Sequence, residues 1–217
     1  MKSLEELKKQ HQKLGVEYEK LGEEIKKLED SQSELKLYDV VKFSNLDWYI
    51  IDEVDNTLTL FLKDKLSPEQ CSKHFDNRLL DSDKDVRFNP NCKNIWWADS
   101  PIRMALNSEF LKYLDKSKLD LMTTTVSIDG QSRTTEDYVR LITKEEAEKL
   151  PVKILKSKYA HGYWTMSPSY FSSNSNAGEF SVTGAGELYG WSVVSFGYGV
   201  RPVIRVTKDN AVTKIEN

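Results

Sequence analysis

Apolar residues near the start of the chain recur at alternating spacings of three and four. Between them stand mostly Glu, Lys and Gln. This spacing puts every member of the series at an a or d position of a heptad repeat. The members are Leu4, Leu7, Leu14, Tyr18, Leu21, Ile25 and Leu28, and the polar His11 takes the remaining a position. The pattern predicts a helix with one narrow apolar seam.

A helix with such a seam and no other apolar face is not stable alone in water, so the seam must pack against something. Two apolar positions in seven is the coiled-coil ratio, which favours self-association as a dimer or trimer over packing back onto the rest of the chain. Gly15 and Gly22 each weaken the helix by ~1 kcal/mol. The predicted oligomer interface consists of Leu4, Leu7, Leu14, Tyr18, Leu21, Ile25 and Leu28.

The seam is followed by a short polar stretch, residues 30–34, which predicts a linker. We therefore place a domain boundary near residue 36. Residues 1–35 form the predicted coiled-coil helix, and residues 36–217 form one globular domain, a size that allows a proper core.

From about residue 38 the pattern changes to short β-branched and aromatic runs separated by Gly, Ser, Asn and Asp, which is typical of strands and turns. The predicted strands are Tyr38–Phe43, Asp47–Glu53, Thr57–Leu62, Tyr138–Ile142, Gly162–Met166, Glu179–Thr183, Trp191–Phe196 and Val200–Val206. Because the first three follow one another closely, they predict a β-meander.

Helix starts between these strands carry capping signals. Apolar residues recur every four positions after Pro101, which predicts a helix with one buried face. The signals are Ser67 before Pro68, Asp99 or Ser100 before Pro101, and Thr143 with Glu146 in a capping box. The fold class that follows is α+β, with a twisted, mainly antiparallel sheet and two or more helices.

Several segments stand in a particular order along residues 38–208. They are Asp47–Asp52, Ser100–Leu111, Leu141–Ala147, Tyr163-Trp164 and Tyr198–Pro202. In this order they resemble a domain-of-unknown-function family of Gram-positive bacteria and their phages. That family is similar to C-type-lectin-like folds, which include sulfatase-modifying enzymes and retroelement-diversified receptor-binding proteins. The resemblance implies a C-type-lectin-like domain, a scaffold that hosts binders, structural modules and at least one oxidase.

Composition narrows the function classes. The net charge is −3, with 31 basic and 34 acidic residues. Nucleic-acid-binding proteins usually carry an excess of basic residues, so we expect no nucleic-acid partner. There is no run of about 18 apolar residues for membrane insertion and no signal peptide, so we expect synthesis in the cytoplasm. Cys71 and Cys92 have no zinc-type spacing.

Catalytic signals are weak, and we expect no enzyme, no metal and no cofactor. His74 and His161 stand apart from any nucleophile or metal motif. The related oxidase binds copper through cysteines late in its domain, whereas both cysteines here precede residue 93. The triplet from Trp97 to Asp99 resembles part of a lectin calcium motif but lacks its companion residues.

Aromatic residues alternate with Ser, Asn and Gly between residues 167 and 198, a mixture typical of recognition surfaces. The alternative is that the aromatic side chains fill the core and the small residues make turns. We also expect Arg201 to hold a loop through a buried carboxylate, with Asp99 or Glu109 as its partner. The predicted ligand-binding residues are Tyr170, Phe171, Asn174, Asn176, Tyr189, Trp191, Phe196 and Tyr198.

Together these features predict a non-enzymatic binding protein that the N-terminal helix holds in a homo-oligomer. The resemblance points to a phage or prophage virion component, in the tail or for receptor binding, which recognises a host-surface glycan or protein. Two alternatives stay open. One is a structural tail or baseplate module that contacts other virion proteins, and the other is an intracellular phage protein that inhibits a host factor.

Overall fold

The computed structural model describes residues 3–32, 35–90, 95–159, 161–171, 177–208 and 212–215. At Leu7, residues 27–32, Phe171, Ala177 and Trp191 only the backbone is described. The chain divides into two units, one ending at Lys36 and one covering residues 37–215. The two units are described separately below.

The first unit is one helix, α1 (Leu4–Gln32), 29 residues long. Ser3 caps it: its hydroxyl accepts from the Glu6 N–H, and the Glu6 carboxylate accepts from the Ser3 N–H. Gln32 is helical, so the linker predicted from residue 30 begins too early. The described seam side chains are exposed, from 47% at Ile25 to 73% at Tyr18.

The second unit is α+β, and the named strand pairs are antiparallel. Its strands are β1 (Val40–Phe43), β2 (Leu46–Val54), β3 (Thr57–Leu62), β4 (Val86–Arg87), β5 (Met122–Ile128), β6 (Gln131–Asp137), β7 (Val139–Leu141), β8 (Tyr163–Phe171), β9 (Ala177–Val182), β10 (Leu188–Val193), β11 (Gly197–Tyr198), β12 (Pro202–Thr207) and β13 (Thr213–Lys214). Its helices are α2 (Pro68–His74), α3 (Pro101–Ala105), α4 (Lys144–Lys149) and α5 (Val152–Leu155).

The predicted meander is confirmed, and it forms half of a sheet that we call the central sheet. The strand order of this sheet is β13–β1–β2–β3–β12–β7. Alternation of apolar residues puts Trp48 and Ile50 of β2 in the core, and β3 buries every side chain from Leu58 to Leu62. The long-range pairing of β3 with β12 ties the start of the domain to its end.

The helix predicted after residue 100 is confirmed, and Ser100 rather than Asp99 caps it by accepting from the Arg103 N–H. The predicted apolar face is buried; its residues are Ile102, Leu106, Phe110 and Leu114. A repeat of four drifts by about 40° per step around an α-helix. The chain passes through a wider π-turn at Leu106–Phe110, which reduces this drift across Ile102, Leu106 and Phe110. Leu114 follows the helical residues in an extended conformation.

The other two capping signals also form the predicted structures. Ser67 and Gln70 make a capping box at the start of α2. Thr143 and Glu146 make one at the start of α4, and Glu146 also holds the buried Arg140 at 2.5 Å. In both cases two N–H groups without helical partners are satisfied by local side chains.

A separate sheet, the C-terminal sheet, has the order β10–β9–β8. The strand predicted at Trp191–Phe196 is misplaced, because β10 is Leu188–Val193 and a turn follows it. A bulge between Tyr189 and Ser192 shifts the register of β10 against β9. This irregular pairing hides the strand's alternation in the sequence.

The hairpin of β5 and β6 was not predicted. Its turn is Asp129-Gly130, and both residues have positive φ, 49° and 74°, as a type I′ hairpin turn requires. The flanking strands are rich in Thr and Ser, and one face carries exposed hydroxyls. The Asp-Gly pair was the available signal, but β6 has no apolar residue to provide the alternation that usually accompanies it.

Candidate functional site

A row of aromatic side chains runs through the core toward the predicted binding region. The ring centroids of Trp97 and Phe88 are 6.5 Å apart, those of Phe88 and Trp164 are 5.6 Å apart, and those of Trp164 and Tyr198 are 4.6 Å apart. Trp164 is fully buried, and its Nε1–H donates to the Val86 carbonyl at 2.6 Å. Tyr198, half-buried at the end of the row, therefore gives part of its surface to the core.

Two of the predicted ligand-binding side chains are clearly exposed. Tyr189, on β10, is 48% exposed, and Phe196, in the turn after β10, is 62% exposed. The Phe196 N–H donates to the Val193 carbonyl at 2.9 Å, which fixes this turn. Large aromatic side chains on short, fixed segments are suited to ligand contact because they have few rotatable bonds to order.

Tyr170 lies opposite Gly178 across β8 and β9. A Cβ atom at Gly178 would be only 1.9 Å from Tyr170 Cε1, so the ring occupies the space that another residue's side chain would fill. Gly178 therefore allows the half-buried Tyr170 ring to lie close to the backbone of β9.

The remaining predicted residues fall where less is described. Phe171 and Trp191 lie in β8 and β10, and only their backbones are described. Asn174 and Asn176 lie outside the described residues. The side chains of Tyr170, Tyr189, Phe196 and Tyr198 are thus the described part of the predicted surface.

A polar cluster that the sequence did not indicate joins Lys65, Asp85 and His161. Lys65 Nζ lies 3.0 Å from Asp85 Oδ1, and His161 Nδ1 lies 2.9 Å from Asp85 Oδ2. Lys65 and Asp85 are buried, whereas the His161 side chain is 60% exposed. The three residues are far apart in sequence and match no motif, so no local signal was available.

This cluster has the His–carboxylate pair of many hydrolases but is not accompanied by an activated nucleophile in the described residues. The nearby Cys71 thiol contacts the Leu66 carbonyl. Burial, reinforced by the negative charge of Asp85, raises the pKa of Cys71 to about 12. The thiol is therefore protonated at neutral pH and is a poor nucleophile.

The other histidine of the domain, His74, is buried rather than exposed to solvent. Its ring makes edge contacts with Phe110 at 5.2 Å and Tyr113 at 4.6 Å. Burial is the main cause of its lowered pKa, so the neutral imidazole is the favoured form. Among the described residues, no group of three or more His, Cys, Asp or Glu side chains is placed to hold a metal ion.

The expected pairing of Arg201 with a carboxylate is wrong. Asp99 pairs with Arg133, and Glu109 pairs with Lys112. The fully buried Arg201 guanidinium donates instead to carbonyl oxygens of Leu62, Lys63 and Leu155 and to the Tyr163 hydroxyl. A sequence pattern does not indicate backbone carbonyl partners, because every residue has a carbonyl group.

Glu179, in the middle of β9, lacks the hydrogen bonds that surround Arg201 in the described residues. It is fully buried, and within the described part of the chain neither carboxylate oxygen has a hydrogen-bond partner. Burial raises the pKa of Glu179 well above its usual value. The carboxyl group is a buried polar group in the sheet that carries Tyr170 and Tyr189.

Within the described ranges, none of the helices combines the length and apolar character of a membrane span. Trp48, Ile102, Trp164 and Arg201, which lie in segments quoted for the expected resemblance, are fully buried and belong to the core. Compared with family models, curated proteins and solved structures, the chain matches none of them.

Proposed function

We propose that this chain is a non-enzymatic binding protein with a C-type-lectin-like domain, held in a homo-oligomer by a coiled coil formed by α1. The observation that carries the proposal is the display of Tyr189 and Phe196, both about half exposed or more, on an antiparallel scaffold with a dense aromatic core. The resemblance to proteins of Gram-positive bacteria and their phages favours a virion component that contacts a host-surface glycan or protein.

The exposed seam of α1 supports the oligomeric part of the proposal. Leu14, Leu21 and Ile25 are each about half exposed along a 29-residue helix, and a coiled coil would remove this apolar surface from water. Linking several binding domains increases the apparent affinity for a repetitive surface without new contacts. Weak single sites would then suffice for attachment.

Light scattering tests the assembly. We expect the full chain to be a dimer or trimer at micromolar concentration, and the double variant Leu14→Glu, Leu21→Glu to be a monomer because it puts charges in the seam. A matched control, Lys9→Gln with Gln12→Glu, makes the same change in net charge outside the seam. A monomeric full chain would remove the avidity argument.

Adsorption tests the binding surface. The oligomer should bind to some members of a panel of Gram-positive cells, and Tyr189→Ala with Phe196→Ala should reduce this binding without lowering the melting temperature. Unchanged adsorption would favour a structural virion module. Finding the protein only in the lysate and never in virions would favour the inhibitor of a host factor.

A further inference from the structure

A cleft of about 310 Å³ lies where β5, the start of α4 and the C-terminal sheet meet. One side of it is apolar and is formed by Phe180 of β9 and Pro168 of β8. The partly exposed Phe180 ring lies against Gly190 of β10, where a Cβ atom would be 2.9 Å from Phe180 Cε1. The glycine thus lets the ring settle close to the sheet, and the neighbouring strand holds it there.

The rim of the cleft carries hydroxyl groups. Thr125 and Ser127 stand on the exposed face of β5, where their hydroxyls pair with those of Thr134 at 2.8 Å and Ser132 at 2.7 Å. Ser167 also lines the cleft but is only 6% exposed, and its hydroxyl accepts from the Lys144 N–H at 2.9 Å. Since a hydroxyl has one donor and two acceptor positions, each keeps capacity for a further hydrogen bond, and its orientation is already constrained.

The charges at the cleft balance. Lys144 and Glu145 line it with opposite signs, and the Lys144 ammonium is 2.8 Å from Glu148. An anionic ligand would therefore find a cation already neutralised and a carboxylate beside it. The cleft therefore disfavours an anionic ligand, and its hydroxyl groups suit a ligand that has both donors and acceptors.

We propose that this cleft binds a neutral saccharide, with one sugar ring against Phe180 and its hydroxyls bonded to the rim. One face of a pyranose presents C–H groups, which the negative face of an aromatic ring attracts. Its edge presents hydroxyls, which match Thr125, Ser127 and Ser167. This inference rests on the proposed binding function and assigns to it a ligand class and a site that lies outside the predicted aromatic set.

The test is the full-length protein on an array of neutral oligosaccharides of hexoses and N-acetylhexosamines, together with oligosaccharides that carry carboxylate or phosphate groups. Affinities for any bound glycan are then measured by calorimetry for Phe180→Leu, Phe180→Tyr and Phe196→Leu. Phe180→Leu keeps an apolar side chain but removes the ring, so we expect a loss of at least about tenfold. Phe180→Tyr keeps the ring and should bind like the original chain.

Ser127→Ala provides a second variant at an exposed position, where folding is not at risk. It should weaken binding by about three- to tenfold through the lost hydrogen bond. Melting temperatures of all variants separate a lost site from a lost fold.

Three results would overturn the inference while leaving the proposed binding function intact. These are binding of charged glycans only, loss of binding in Phe196→Leu but not in Phe180→Leu, and adsorption to cells with no glycan bound on the array. If the protein without substitutions binds no glycan on the array and adsorbs to no cell, both proposals are wrong.

Discussion

Arg201 and Glu179 are both fully buried and carry potential charges of opposite sign, yet their surroundings differ completely. Arg201, just before β12, donates to the Leu62 carbonyl at 2.6 Å, the Lys63 carbonyl at 2.6 Å, the Leu155 carbonyl at 3.0 Å and the Tyr163 hydroxyl at 3.2 Å. Its guanidinium carbon is also 3.9 Å from the centre of the Phe61 ring. Glu179, in the C-terminal sheet, has no hydrogen-bond partner in the described structure.

The difference shows what each region is built to do. Arg201 exchanges water for fixed carbonyl oxygens and an aromatic face, so it links β3, α5, β8 and β12 into one core. Glu179 loses water and gains no hydrogen bond from the described residues, so burial raises its pKa and favours the neutral acid. The buried charge of Arg201 beside the central sheet is thus satisfied, whereas the C-terminal sheet, which displays the candidate binding residues, carries an unfavourable group at Glu179.

The largest effect should come from removing Arg201. Arg201→Met leaves carbonyl oxygens in the core without their donor, and we expect a loss of about 3–5 kcal/mol in the free energy of unfolding. Urea denaturation measures it. Arg205→Met, the same change four residues later, within β12 and at a partly exposed position, is the control. Equal losses in the two variants would show that the buried hydrogen bonds have no special weight.

Replacing Glu179 should increase the free energy of unfolding, the opposite of the effect expected for Arg201. Because its folded pKa is raised, the stability that the acid form contributes is complete below the ordinary value of 4.5 and is lost as the pH rises through the folded pKa. Glu179→Gln removes this loss, so the variant should exceed the original chain by about 1–3 kcal/mol at pH 8 and by much less near pH 4.

Urea denaturation at several pH values measures this difference, and subtracting the original chain at each pH cancels the other titrating groups. Glu187→Gln, in an exposed turn of the same sheet, should change little at any pH. A gain for Glu179→Gln that does not depend on pH would contradict the assignment of the carboxyl group as the cause.

The smallest change in stability should come from removing one hydrogen bond of Arg201, that to the Tyr163 hydroxyl. The Tyr163 hydroxyl accepts from Arg201 and donates to the Leu155 carbonyl at 2.8 Å, and burial raises its pKa to about 12. Tyr163→Phe should cost about 1 kcal/mol in unfolding free energy, because the other Arg201 bonds remain. Tyr189→Phe, at an exposed tyrosine, should be neutral within about 0.5 kcal/mol. A cost above that of Arg201→Met would reverse the hierarchy proposed here.

Local chemistry in the sequence accounts for much of the fold. Ser67 and Thr143 cap helices with side chains three residues away, and β-branched runs on either side of a short turn gave the meander. The Thr-rich hairpin was not predicted because β6 has no apolar residue, although Asp129-Gly130 marked the turn. The start of β10 was predicted wrongly because a bulge interrupts the alternation of inward and outward side chains along the strand.

The candidate site was predictable only in part, because exposure depends on packing partners far along the chain. Tyr198 and Tyr189 look alike in sequence, yet Tyr198 packs against Trp164 while Tyr189 is exposed. The cleft beside Phe180 combines residues near positions 125, 144, 167 and 180. No spacing in the sequence brings these positions together.

By itself, the sequence determined the seam of α1, the helix caps, most strand positions and the α+β class, because each depends on neighbours a few residues apart. Only the tertiary structure decided which aromatic rings are exposed, that Arg201 binds carbonyls rather than a carboxylate, and that Glu179 is buried with no hydrogen-bond partner among the described residues. The physical reason is that burial and hydrogen-bond partners are set by long-range pairing, such as that of β3 with β12, which a local pattern does not encode.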